Sequence, residues 1–169
     1  MVSFGEKRGA FLAPGLKRLQ DIQEEIFRQL QLLIPEDVTL HDVFASSVSG
    51  SPLLRMDVLE RHRYTQFIRL TYAFPSGEAD KYAPDAHIRL YRDARMAEVT
   101  AFNPEQGFRR SAHPWYPRRP LMQRCWRQNL ALDKWLGYLL QQGHSVDTMQ
   151  AVDECAGAKV TAAEEVSTA

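Results

Sequence analysis

Alternating apolar and polar positions over residues 86–102 predict the hairpin around which the chain is organised. The segment reads AHIRLYRDARMAEVTAF, and apolar residues occupy every second position on both sides of the charged tetrapeptide RDAR. Period-two alternation around a short polar break is typical of a β-hairpin. The pattern places the turn at Asp93 and Ala94.

This turn sets a register that gives the hairpin one polar face and one apolar face. Three pairs of residues are predicted to lie opposite each other: Tyr91 and Met96, Arg89 and Glu98, and His87 and Thr100. The face predicted to be covered by helices carries four apolar residues: Ile88, Leu90, Ala97 and Val99. Arg89 and Glu98 are expected to form a cross-strand ion pair on the other face. A slip of one residue would exchange the two faces.

Apolar residues spaced three and four positions apart predict one helix near each end of the chain. The first helix lies between Pro14 and Pro35, and its stripe is Leu16, Leu19, Ile22, Ile26, Leu30 and Leu33. The second begins at Pro120, and its stripe is Met122, Cys125, Asn129, Leu132, Leu136 and Leu139. Gly143 is the expected C-terminal cap of the second helix.

Three more strands are predicted between the first helix and the hairpin, over residues 38–45, 54–58 and 63–74. The order of elements therefore predicts an α+β fold: an antiparallel β-meander of about five strands, with the N-terminal and the C-terminal helix packed on one face. A chain of 169 residues accommodates one such domain. We assign it to residues 14–143, with a flexible arm at 1–13 and an acidic, alanine-rich, disordered tail at 144–169.

Charge is balanced overall, at 21 bases and 21 acids, but it is unevenly distributed. Residues 106–143 hold one acid, Asp133, and seven bases: Arg109, Arg110, Arg118, Arg119, Arg124, Arg127 and Lys134. No apolar run approaches the roughly 20 residues of a membrane span, and the charged N-terminus does not resemble a secretory signal. Two cysteines are too few for a disulfide framework. We therefore expect a cytoplasmic protein.

The basic segment also carries aromatic residues, which makes it the first candidate for a binding site. The candidate residues are Arg109, Arg110, His113, Trp115, Tyr116, Arg118, Arg119, Arg124 and Arg127. Guanidinium groups beside aromatic rings bind phosphates and stack on bases, and they also recognise carboxylates. The alternative is structural: the arginines are solvated or pair with acids of the domain, and Trp115 covers the core.

Catalytic and metal sites have weaker support. Glycine-rich phosphate loops, dinucleotide fingerprints and nucleophile elbows are absent from the sequence, so we assign no catalytic residue and no cofactor. The five histidines are scattered singly, so no metal site is assigned. An alternative site is the polar face of the hairpin, formed by Arg89, Tyr91, Asp93 and Glu98.

Several motifs resemble a known family. They are the block RLYRDA with AEV that follows it, the tripeptide RYT at 63–65, Tyr116-Pro117, and the pattern of the second helix up to Gly143. Together they are similar to the YqiB-like proteins of proteobacteria, a family defined by a domain of unknown function (DUF1249). The resemblance covers residues 16–143. It implies a small cytoplasmic bacterial protein and supplies no catalytic residue.

We therefore expect a non-catalytic regulatory protein that presents the arginine- and aromatic-rich surface to an anionic partner, with a protein as the first hypothesis. Binding of a nucleotide or RNA is the alternative. An enzyme that uses Asp93 and Glu98 is the third hypothesis.

Overall fold

In the part of the chain that the structure describes, six antiparallel strands form one sheet, and two helices cover one of its faces. The computed structural model describes residues 15–73, 84–103 and 121–152. The elements are α1 Leu16–Leu33, β1 Val43–Ser46, β2 Leu53–Arg61, β3 Thr65–Ala73, β4 Asp85–Tyr91, β5 Met96–Phe102, α2 Leu121–Gln142, a short 3-10 helix Val146–Thr148 and β6 Met149–Ala151.

The strand order across the sheet is β5-β4-β3-β2-β1-β6. The first five strands form the predicted meander, in which each strand pairs with the next along the chain. The α+β class and the helical layer are therefore confirmed. The described residues form six strands rather than five, because β6 adds to the outer edge of β1.

The core lies between the sheet and the helices, where the strands place their alternate apolar residues. The hairpin contributes Ile88, Leu90, Ala97 and Val99, all less than 9% exposed, as the register predicts. The predicted stripe of α1 is buried except for Leu16, which is 71% exposed. Phe27, which lies off that stripe, is buried. The buried surface of α1 is wider than one stripe because this helix packs against α2 as well as β5.

The hairpin register is confirmed near the turn and is wrong at the far end. Arg89 pairs with Glu98 and Tyr91 with Met96, but His87 pairs with Ala101 rather than with Thr100. A β-bulge between the two regions leaves Thr100 as the extra residue. The Thr100 hydroxyl donates a hydrogen bond of 3.1 Å to the carbonyl oxygen of His87, so the bulge is held by a local contact.

The sheet includes residues that follow position 143, the predicted end of the domain. Gly143 does end α2, with a φ of 99°, but the chain continues into the domain through the 3-10 helix and β6. Residues 149–151 pair with β1, and Met149 is 6% exposed. The unpaired edge of β1 offers backbone hydrogen bonds that a short segment can complete whatever its composition. Residues 1–14 and 153–169, which include the predicted arm and most of the predicted tail, lie outside the described residues.

The first strand is shorter than predicted. It covers Val43–Ser46 rather than 38–45, because a turn precedes it. His41 has a φ of 66° in that turn, which a continuous strand does not allow. Val38 is fully buried nevertheless. The apolar pattern at 38–45 therefore indicates buried residues rather than one strand, since the residues before Val43 lie outside β1.

Candidate functional site

The side of the sheet opposite the helices, here called the open face, carries charged and aromatic side chains. They alternate with core residues along β2 to β5, and they are Arg55, Asp57, Glu60, Phe67, Arg69, Asp85, His87, Arg89, Tyr91 and Glu98. All ten are at least partly exposed. Both helices pack their buried residues against the other side. This face therefore remains open over the part of the chain that the structure describes.

Two carboxylates of the open face are held by arginines. Arg55 Nε donates to Asp57 Oδ1 at 2.9 Å. Arg69 grips Asp85 with two parallel bonds, Nε to Oδ1 at 2.9 Å and Nη2 to Oδ2 at 2.8 Å. The backbone of Asp85 is fixed as well, because its N–H donates to the Asn103 side chain at 2.8 Å. Both acids are thus engaged within the sheet itself.

The predicted ion pair between Arg89 and Glu98 is replaced by two other contacts, although the two residues do lie opposite each other. The Tyr91 hydroxyl donates to Glu98 Oε1 at 2.7 Å. This hydrogen bond, with burial and the charge of the carboxylate, raises the pKa of Tyr91 above its usual value. The Arg89 guanidinium lies over the Phe67 ring, 5.4 Å from its centre. The His87 and Phe67 rings pack edge to face, with their centres 6.0 Å apart.

The described residues of the two predicted sites, the basic segment and the polar face of the hairpin, lie on opposite sides of the sheet. Arg124 and Arg127 are exposed on α2, on the helical side, whereas Arg89 and Glu98 lie on the open face. Asp93 is exposed in the hairpin turn. The other candidates lie outside the described residues: Arg109, Arg110, His113, Trp115, Tyr116, Arg118 and Arg119.

A buried polar cluster lies where the chain leaves α2. His144 is 1% exposed, and its Nδ1 lies 2.7 Å from Ser46 Oγ, while its Nε2 lies 3.0 Å from Ser51 Oγ. Ser46 Oγ also lies 2.7 Å from Thr148 Oγ1. Burial lowers the pKa of His144. A serine beside a histidine is the arrangement of a nucleophile and its base, but Ser46 is fully buried, so this cluster joins β1 to the 3-10 helix.

Sequence reasoning found part of the open face and missed the buried cluster. Alternation along the third predicted strand places Phe67 and Arg69 on the polar side, which is the signal that connects them with the hairpin. The sequence pattern places Asp85 in no element, because the predicted hairpin begins one residue later. A single histidine after a helix cap carries no periodic signal, and so His144 could not be recognised.

The described residues include no group of three side chains suited to bind a metal ion. Among the helices that the structure describes, none has an apolar stretch long enough to cross a bilayer.

Comparison with known proteins gives one match. No curated protein and no solved structure matches the chain. A family model matches residues 29–145, which extend from the second half of α1 to the residue before the 3-10 helix. This span covers well over half of the chain and includes the whole open face. The chain therefore belongs to the family described as "Protein of unknown function (DUF1249)".

Proposed function

We propose that this protein is a non-catalytic binding protein whose open face receives an acidic segment of a partner protein. The observation that carries the proposal is the position of Arg89. Its guanidinium is presented on the Phe67 ring, and no described carboxylate lies within ion-pair distance of it. The nearest acid across the strands, Glu98, accepts its hydrogen bond from Tyr91 instead. Arg89 is thus held by the Phe67 ring and by the Tyr91 hydroxyl without a described carboxylate as its partner, and its guanidinium can bind a carboxylate from outside.

The charge of the open face favours a protein over a nucleic acid. Among the described residues, this face carries three arginines and four acids, so it has no net positive charge with His87 neutral: Arg55, Arg69 and Arg89, and Asp57, Glu60, Asp85 and Glu98. Binding to a nucleic acid draws its affinity from neutralising many phosphates with a net positive surface. A face without net positive charge, on which Arg89 has no described carboxylate as a partner, suits an isolated carboxylate better.

The two alternative functions predicted from the sequence, RNA binding and catalysis, are supported to different degrees by the structure. The Phe67 ring, with Arg89 over it and His87 packed edge to face with it, offers a stacking surface, which supports single-stranded RNA as the second candidate. No observation favours the enzyme hypothesis, since Glu98 is engaged by Tyr91 and Asp93 lies exposed in a turn. A cytoplasmic location and the YqiB-like, proteobacterial part of the resemblance remain predictions.

The test is binding of a fluorescent glutamate-rich peptide, followed by anisotropy at low and at physiological salt. Arg89→Ala should weaken binding about tenfold, the usual effect of losing one charge-assisted hydrogen bond. Arg89→Lys keeps the charge but loses the planar fork, so it should restore binding only in part. Arg28→Ala is the matched control, because Arg28 is an exposed arginine on α1.

Equal binding by wild type and Arg89→Ala would refute the open face as the site. The paired replacements of Arg118 and Arg119 by Ala and by Lys then test the basic segment predicted from the sequence. A single-stranded oligonucleotide completes the set. If it binds more tightly than the peptide, and loses affinity steeply with salt, the second candidate replaces the first.

A further inference from the structure

The segment that follows α2, residues 144–152, joins the domain through few contacts. It forms the 3-10 helix and β6, and β6 lies at the edge of the sheet, paired with β1. Met149 is the one apolar side chain of this segment that is buried. Gly143, with a φ of 99°, separates the segment from α2 in a conformation that glycine adopts without strain. A three-residue edge strand beside such a hinge can leave the sheet while the meander stays folded.

The hydrogen bonds of His144 form a directed chain, because each hydroxyl has one proton to donate. Thr148 Oγ1 donates to the Ser145 carbonyl oxygen at 2.9 Å. Ser46 must then donate its bond of 2.7 Å to Thr148, and His144 Nδ1 must donate its bond of 2.7 Å to Ser46. Nε2 is left as an acceptor, and the Ser51 hydroxyl donates to it at 3.0 Å. The contacts thus specify a neutral ring that carries its proton on Nδ1.

Among the described residues, none places a charge beside the His144 ring. β1, the loop that follows it and the last turn of α2 contain no charged residue. Asp147 and the charged residues of both helices are at least partly exposed, while Arg55 and Asp57 of β2 lie on the open face. Tyr72 of β3 has a pKa that burial raises, so it carries no charge. Burial therefore lowers the pKa of His144 with no opposing ion pair.

We propose that residues 144–152 form a proton-sensitive strap: protonation of His144 releases the strap about Gly143 and uncovers the outer edge of β1. A second proton gives the ring a positive charge at a site that is 1% exposed, and the hydrogen bond from Ser51 to Nε2 is lost. In the released strap, water solvates the charged ring, which offsets the contacts that β6 loses. Release therefore increases as the pH falls below about 6.5, the usual pKa of an exposed histidine. The backbone groups of β1 are then free to pair with another strand.

The test is amide hydrogen exchange at pH 7.5 and at pH 5.5, with each rate corrected for the exchange of an unfolded peptide at that pH. The Val152 amide, which donates to the Val43 carbonyl oxygen at 2.8 Å, reports opening of the strap. The Ile68 amide lies in β3, which is paired on both sides, and reports global unfolding. The opening constant at Val152 should rise about three- to tenfold at the lower pH, because the open strap binds one more proton.

Two results at these amides would overturn the proposal. One is an opening constant at Val152 that does not change with pH. The other is equal protection of Val152 and Ile68, since the segment would then open only when the whole domain unfolds. Both are measured on the unaltered chain, so the test does not depend on the folding of any variant.

Two variants and one spectroscopic signal assign the effect to the ring of His144. His144→Gln takes up no proton, so the opening constant at Val152 should be the same at both pH values, whatever its level. His62→Gln is the matched control at an exposed histidine and should keep the dependence of the wild type. Retained pH dependence in His144→Gln would overturn the proposal. The ring ¹⁵N signals at pH 7.5 should show the proton on Nδ1, and a proton on Nε2 would overturn the directed chain on which the strap depends. None of these readouts involves the open face, so this inference can fail without affecting the proposed function.

Discussion

The two faces of the sheet are formed by the same strands but are stabilised by different interactions. On the covered face, Ile68, Leu70 and Ile88 are fully buried, and their stabilisation comes from removing apolar surface from water. On the open face, Arg69 and Asp85 are 42% and 22% exposed, and their contact is an ion pair. Surface ion pairs contribute little, commonly below about 1 kcal/mol. The covered face therefore carries the stability, and the open face can vary for recognition.

The largest effect should come from the covered face, at Trp135. This residue is 8% exposed and meets Tyr72 and Phe102 edge to face, at 5.7 and 6.2 Å. Trp135→Ala should lower the free energy of unfolding by about 3–5 kcal/mol, as measured by denaturant titration. Trp135→Phe keeps a ring and should lose less. If Trp135→Ala left the unfolding midpoint unchanged, Trp135 would not belong to the core.

Removing the last strand should have the next largest effect. A chain that ends after His144 lacks the 3-10 helix, β6 and the buried Met149, and should lose about 2–3 kcal/mol. A chain that ends after Val152 is the control, because it retains all of these groups. Equal melting temperatures for the full chain and the chain ending at His144 would show that β6 does not stabilise the sheet.

A smaller effect should appear as pH dependence at His144. Burial lowers the pKa of His144 in the folded protein, whereas the unfolded chain takes up a proton near the usual value of 6.5. The contribution of His144 to the free energy of unfolding is therefore complete above about pH 6.5. It decreases as the pH falls below this value, because the unfolded chain then binds a proton more readily than the folded protein does. Melting temperatures between pH 8 and 5 measure this slope. His144→Gln should flatten the slope, and His62→Gln, at an exposed histidine, should preserve it.

The smallest effect should come from the open face. Arg69→Ala breaks two hydrogen bonds to Asp85, yet it should cost less than about 1 kcal/mol, because both side chains are partly solvated. A double-mutant cycle with Asp85→Ala measures the coupling of the pair. A coupling energy above about 2 kcal/mol would show that the open face also contributes substantially to stability, contrary to the prediction.

Sequence patterns predicted the parts of this structure that periodicity controls. Alternation is a property of every strand that is buried on one side, and so the faces of Arg89 and Leu90 followed directly from it. The bulge at Thr100 and the hydrogen bond from Tyr91 to Glu98 depend on individual side-chain contacts, and the position of β6 depends on pairing with the distant strand β1. Three residues of β6 are too few to show a period.

The candidate sites show the same limit. Alternation indicated the open face, because charged residues at every second position mark the solvent side of a strand. The hydrogen bond between Gln66 and Arg92 could not be recognised from the sequence, because a glutamine at that position of β3 lies by periodicity on the covered face. Its partner, Arg92, lies 26 positions later in the chain.

The position of β6 also has a consequence for how the chain folds. The segment that completes the sheet lies late in the chain: Ser46 on β1 and His144, just before β6, are 98 positions apart. Closing so long a loop costs chain entropy, so β6 should dock after the meander has formed. During synthesis, the outer edge of β1 is exposed from the time the meander folds until residue 151 leaves the ribosome. An exposed strand edge invites pairing with other chains, so the nascent protein is most prone to aggregate within this interval.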